Sequence, residues 1–153
     1  MTAPLNELTS HPFVKELTEE QLRRLFPCAR VIRFAPGAYV FRENASADTL
    51  YLLRSGRVTL EQQIPGQGTV QLENLRTGDV LGLSWIFPGG RWVADARAVE
   101  TTEAVAVDAS CLHATMNADP GLGLALAKQL IYQLYHRLER ARLQRLDVYR
   151  EGA

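Results

Sequence analysis

No apolar run in this sequence approaches the roughly 18 residues that cross a bilayer. The opening MTAPLNELTSHPF also lacks the charged-then-apolar design of an export signal, so a cytoplasmic protein without a membrane span is expected. Histidine is scarce. Only His11, His113 and His136 occur, all outside the expected strands and without an H-x-H pair, which argues against the clustered ligands of a metal-dependent barrel enzyme. Neither G-x-S-x-G nor a Cys/His pair with an orienting acid is visible, so no catalytic residue, no metal and no enzyme activity are expected. Cysteine is scarcer still. Cys28 and Cys111 stand apart, with no C-x-x-C and no His-rich spacing, so neither a zinc site nor a disulfide framework is suggested. Both read as buried thiols acting as small apolar side chains. Excess charge of either sign is missing too: seventeen basic residues balance seventeen acidic ones, so no whole-molecule field draws the chain to nucleic acid or membrane.

What is present suits one ordinary globular core. The chain has 153 residues, 46% of them apolar and 22% charged. In TEEQ, Thr18 can cap a helix while Gln21 reaches back, and Leu22, Leu25 and Phe26 supply its apolar face. Pro27 should end that helix, because proline disfavours helical geometry in the residue before it. From Ala29 to Asp108 the texture is short β-type runs between turn residues, the mark of an all-β sandwich or barrel. Val31, Phe34, Val40, Phe41, Leu50, Leu52 and Leu53 are the core candidates of the first three runs. PGQG joins two alternating runs as a hairpin. In ADARAVE, Ala94, Ala96 and Ala98 share one face while Asp95 and Arg97 share the other. ASCLHATMNA can form a short helix, 117–121 breaks it, and about 122–149 reads as one long helix. A heptad on Leu124, Ala127, Ile131, Leu134, Leu138, Ala141, Arg145 and Val148 is apolar except at Arg145. Leu126, Leu130 and Leu143 widen that stripe, so one side is expected on the β body and the other on a second copy. The expected division is 1–121 for the β domain with its N-terminal helix and 122–153 for the long helix.

The element order, together with FAPGAYVFREN, ADTLYLLRSGRVTL and LRTGDVLG, resembles the cyclic-nucleotide-binding domain of Crp/Fnr-type bacterial regulators over about residues 10–145. The resemblance implies a mainly β fold with flanking helices: a jelly-roll (double-stranded β-helix) barrel, a short N-terminal helix and a long C-terminal dimerisation helix. Gly56 and Gly78 would be turn glycines of positive φ. Asn44 stands where the family usually has glycine, and Asn tolerates that geometry next best. The resemblance also implies a phosphate-binding cassette in GLSWIFPGGRWVADARA, where backbone amides, a glutamate for the ribose hydroxyl and an arginine for the phosphate hold the nucleotide. Gly82 matches the leading glycine, but Leu83 falls at the glutamate position and Trp92 at the arginine position. Leucine accepts no hydrogen bond, and an unpaired buried hydroxyl costs about 1–3 kcal/mol.

The ligand candidates are therefore Gly82, Leu83, Ser84, Trp85, Arg91 and Trp92. Arg91, one position early, could turn to an anion or to water. Ser84 could donate to an anion or cap a turn. Trp85 and Trp92 could stack on a base, or fill the space a nucleotide would take. No cofactor is assigned, and the ligand the resemblance implies is a cyclic nucleotide or another small anion. The chain stops at Ala153, where the regulators it resembles continue into a helix-turn-helix, so direct DNA contact is not expected. Arg137, Arg140, Arg142, Arg145 and Arg150 cluster late in the long helix, as a solvated face or a docking surface. The reading is a non-catalytic sensor or regulatory domain that dimerises through Leu124, Ile131, Leu134 and Leu138, acts on a partner protein, and does not bind cAMP in the usual way. One alternative is a true cyclic-nucleotide receptor using Arg91. The other is a purely structural dimerisation module.

Overall fold

A computed structural model describes residues 8–87 and 89–151. Met1 to Glu7, read above as carrying no export signal, lie outside the described residues, as do Pro88 of the cassette loop and Gly152 and Ala153 at the end of the second expected unit. Helix α1 (Glu19–Leu25) begins as the sequence predicts. Thr18 accepts from the Gln21 amide, the Gln21 side chain accepts from the Thr18 amide, and Glu19 and Glu20 occupy the first turn. It passes into a 3-10 turn at Phe26–Cys28, where Pro27 stops it.

Eight strands follow, in two antiparallel sheets. The first runs β1 (Ala29–Phe34), β8 (Thr102–Asp108), β3 (Thr49–Ser55), β6 (Val80–Leu81), in that spatial order. The second runs β2 (Tyr39–Phe41), β7 (Asp95–Ala98), β4 (Arg57–Ile64), β5 (Gly68–Arg76). Helices α2 (Ala109–Ala118) and α3 (Pro120–Glu151) complete the chain. The mainly β jelly-roll with a short N-terminal and a long C-terminal helix is thus the architecture found.

Strands β3 and β8, at the middle of the first sheet, are buried on both faces, which accounts for the nearly continuous apolar runs TLYLL and AVAV. Tyr51, Leu53, Ala104 and Ala106 point into the roll against Val58, Leu75, Leu81 and Ala96. Leu50, Leu52, Val105 and Val107 point outward and are covered by Phe13, Leu22, Leu25, Leu112, Leu122, Leu126 and Leu130. The core therefore has two compartments separated by one sheet. Val31, expected inside, lies at the surface, because β1 is an edge strand whose side chains are mostly exposed.

Asn44, Gly56 and Gly78 all have positive φ. At Gly56 a Cβ would also stand 2.5 Å from the Thr101 carbonyl, so its glycine serves both the turn and a close approach. The break between the last helices is narrower than 117–121. Asp119 alone interrupts: its amide closes α2 on the Thr115 carbonyl, and its carboxylate accepts from the Leu122 amide in the first turn of α3.

The cysteines correct the sequence reading. Cys28 and Cys111 are joined in a disulfide, with Cα atoms 5.5 Å apart across 83 residues of chain, and are not buried thiols. The cause is sheet register. Ala29 pairs with Val107, so Cys28, just before β1, meets the chain just after β8, where Cys111 sits in the first turn of α2. No local spacing carries that information.

Candidate functional site

The segment after β6 turns at Gly82 (φ 90°), makes one 3-10 turn at Ser84–Ile86, and returns through Gly89 and Gly90 to β7. The return is packed tightly: a Cβ at Gly90 would lie 2.2 Å from the Ser84 carbonyl, while the Gly90 carbonyl accepts from Ala47 N. This brings Gly82, Leu83, Ser84 and Trp92 to one cavity of about 130 Å³, together with Phe41, Leu60 and Arg137. Four of the six candidates therefore meet there.

Trp92 forms a buried wall of this cavity. Its ring stacks on Phe41 at 3.9 Å with an interplanar angle of 9°, and it is 4% exposed. The ring edge comes so close to Gly82 that a Cβ there would lie 2.7 Å from it. Gly82 thus serves both a positive φ and the seating of the tryptophan.

The other two candidates lie elsewhere. Trp85 is buried in the helix-side compartment, on the opposite side of the first sheet, where His113 Nε2 lies 2.9 Å from its carbonyl and the two rings are 5.2 Å apart. The two tryptophans form no common stacking pocket. Arg91 is exposed and donates from Nη1 to the Asn44 carbonyl at 2.7 Å, away from the cavity lining. Ser84 opens the 3-10 turn instead of preceding it as a cap.

The cation at the cavity is Arg137, which reaches it from α3 and which the sequence reading placed only in a late arginine cluster. Its guanidinium makes two bonds to Glu73 on β5, at 2.8 and 2.6 Å, and a third to the Val80 carbonyl at 3.1 Å. Its neighbour Arg140 makes the same kind of bidentate pair with Asp79, and Gln133 donates to the Gly78 carbonyl. One turn after another, the long helix is therefore fastened to β5, β6 and the turn between them, just ahead of the cassette. Helical spacing would have aligned Gln133, Arg137 and Arg140, but nothing local says which strand they meet.

The carboxylates of Asp95 and Glu61 are engaged on the far face of the second sheet. Strand alternation turns Ala94, Ala96 and Ala98 inward and Asp95 and Arg97 outward, as the sequence pattern predicts. Asp95 accepts from Arg42 Nε at 3.2 Å and the Glu43 amide at 2.8 Å, and Arg97 binds Glu61 through two bonds of 3.0 and 2.9 Å. The Arg97 hydrogen bonds hold the Glu61 carboxyl below its ordinary value, and the same pairing raises Arg97. Neither carboxylate would repel an anion in the cavity. Among the described residues, no group of three or more His, Cys, Asp or Glu is placed to hold a metal, and no helix is long and apolar enough to cross a membrane.

Two facing antiparallel sheets of four strands, a glycine-led loop between β6 and β7 and a long C-terminal helix define a jelly-roll. Residues 31–119, more than half of the chain, match the cyclic nucleotide-binding domain, and the chain belongs to that family. A solved Geobacter metallireducens structure described as a cyclic nucleotide-binding protein superposes with a TM-score of 0.79 at 24% identity, over 89% of this chain and 98% of that one. The sensor domain of the transcriptional regulator DNR from Pseudomonas aeruginosa gives 0.70 at 25% identity, over 88% and 90%. Human cGMP-dependent protein kinase 2 is 31% identical over 78 residues, which is 50% of this chain and 10% of the kinase. The chain thus spans a tenth of that relative's length.

Proposed function

We propose that this chain is a non-catalytic regulatory sensor domain, working as a homodimer on a partner protein, whose cavity does not take cAMP or cGMP in the family's usual way. The carrying observation is Trp92, stacked on Phe41 and seated against Gly82, at the position that the sequence resemblance aligns with the family's phosphate arginine. The space beside it, about 130 Å³, is well below the roughly 300–1,000 Å³ of pockets that hold drug-sized ligands. It is closer to a cavity that admits a single ring, for which about 150 Å³ suffices. Arg137 supports the sensor reading: a ligand acidic enough to compete with Glu73 would loosen α3 from β5, and a ligand moves such an equilibrium only by its differential affinity for the two states. Exposed along α3, Leu124, Ile131, Leu134 and Leu138 offer the second copy an apolar row.

Thermal melts with millimolar cAMP, cGMP and cyclic dinucleotides test this. A nucleotide at about 100 times its Kd stabilises by about 2.7 kcal/mol, a rise of several degrees, and no rise is expected here. A rise that vanishes in Arg91→Ala would replace this reading with that of a true nucleotide receptor.

A further inference from the structure

We propose that the Cys28–Cys111 disulfide is a thiol–disulfide exchange site, opened by a dithiol reductant that enters the groove beside Cys111, and that its redox state sets how firmly the joint between α2 and α3 is held. The two half-cystines differ in access. Cys28 is buried at the end of the Phe26–Cys28 turn, whereas Cys111 is partly exposed and lines a surface groove of about 530 Å³ with Arg24, Thr115 and Asp119. An incoming thiolate therefore reaches Cys111 Sγ.

The exchange balances as follows. One thiolate of the reductant attacks Cys111 Sγ, the S–S bond breaks, and its electron pair leaves on Cys28 Sγ, which takes a proton. The reductant's second thiol, deprotonated, attacks its own sulfur in the mixed disulfide and expels Cys111 as thiolate. Two protein thiols and the reductant's disulfide result, and a disulfide oxidant reverses the sequence. The reduced pair has a place to settle: Thr115 Oγ1 lies 3.7 Å from Cys28 Sγ and already donates to the Cys111 carbonyl at 2.8 Å, leaving its lone pairs to accept from a Cys28 thiol.

The consequence lies in what the bond ties together. α1 and the 3-10 turn after it are tied to α2 at two polar or covalent points, the disulfide from Cys28 near the start of α2 and the ion pair from Arg24 to Asp119 just past its end. Asp119 is also the residue on which α3 starts, through the Leu122 amide. Reduction removes the covalent tie, leaving the ion pair, whose arginine is half exposed, and the apolar cluster that Leu22 and Leu25 share with Leu112. The long helix would then begin on a looser platform.

Hydrogen–deuterium exchange on the whole chain, oxidised and after treatment with dithiothreitol, tests the proposal. Reduction is expected to speed exchange in 109–126 by about tenfold or more while 49–64 stays protected. Trapping with a monothiol, followed by mass spectrometry, is expected to leave the adduct on Cys111. Cys28→Ser/Cys111→Ser should match the reduced protein, and if it fails to fold the comparison of the two wild-type states still decides. Equal exchange in both states, resistance of the bond to dithiothreitol in the folded protein, or an adduct on Cys28 would overturn the proposal. A nucleotide-induced rise in Tm, which would sink the reading of the cavity, leaves all three of these readouts untouched.

Discussion

Trp92 carries both the packing of the cavity and the argument about ligands, so its truncation separates two roles. Trp92→Ala deletes a ring that is stacked on Phe41 and almost wholly buried. Such truncations cost about 3–5 kcal/mol, and at about 2–4 °C per kcal/mol for a chain of this size the melt should fall by on the order of 10 °C. A fall of less than about 2 °C would mean that the ring is not a packing element and that the cavity is built to receive something else. Trp85 shows why the two tryptophans looked alike in the sequence and are not. They stand seven positions apart, but the 3-10 turn at Ser84–Ile86 directs one into the helix-side compartment, and the return through Gly90 places the other inside the roll. Arg137 was the harder residue to find. Its partner Glu73 is 64 positions away, and only the docking of α3 against β5 joins them.

Elements with a strong local signal formed where the sequence placed them. The Thr18–Gln21 capping box, the hairpin across PGQG, and the inward alanines of β7 each follow from the chemistry of two or three neighbouring residues. Signals that depend on partner strands did not read through, as with exposed Val31 on an edge strand and the cysteines brought together by β1–β8 register. The 3-10 turn Pro12–Val14 adds an element that no pattern announced. His11 caps it, Nδ1 accepting from the Phe13 amide at 3.1 Å, and Nε2 lies 3.3 Å from the Asp79 carbonyl. With Nδ1 accepting, the ring is neutral and Nε2–H donates to that carbonyl. Burial lowers the His11 pKa from 6.5 to about 4. The folded state therefore binds fewer protons than the unfolded chain between these values, so stability is full above about pH 6.5 and declines toward pH 4, by on the order of 3 kcal/mol in all. Glu61, held below its usual range, loses its contribution only at lower pH, so the interval from 6.5 to 5 isolates His11. Urea midpoints across that interval should fall for the wild type and stay level for His11→Gln. Parallel slopes would assign the acid sensitivity to other groups.

At the scale of the molecule, the long helix divides its surface between two tasks. Leu122, Leu126 and Leu130 are buried against the roll, and Gln133, Arg137 and Arg140 extend that side with bonds to β5, β6 and the turn between them. A flanking side holds Leu124, Ile131, Leu134 and Leu138, each about half exposed or more. Thirty-two residues make a rod about 48 Å long, more than one small roll can cover. An apolar row of this kind on a helix with another face already occupied is the pattern of a two-helix seam. In the proposed dimer, sedimentation at tens of micromolar should show two copies, and Ile131→Asp/Leu138→Asp should show one. Because both side chains are more than half exposed, the double variant should retain the wild-type near-UV spectrum and the protection of 49–64, so that loss of assembly is not confused with loss of fold. A wild type that sediments as a monomer would remove the seam from the mechanism and leave Arg137 and Glu73 as the route by which the cavity acts on α3.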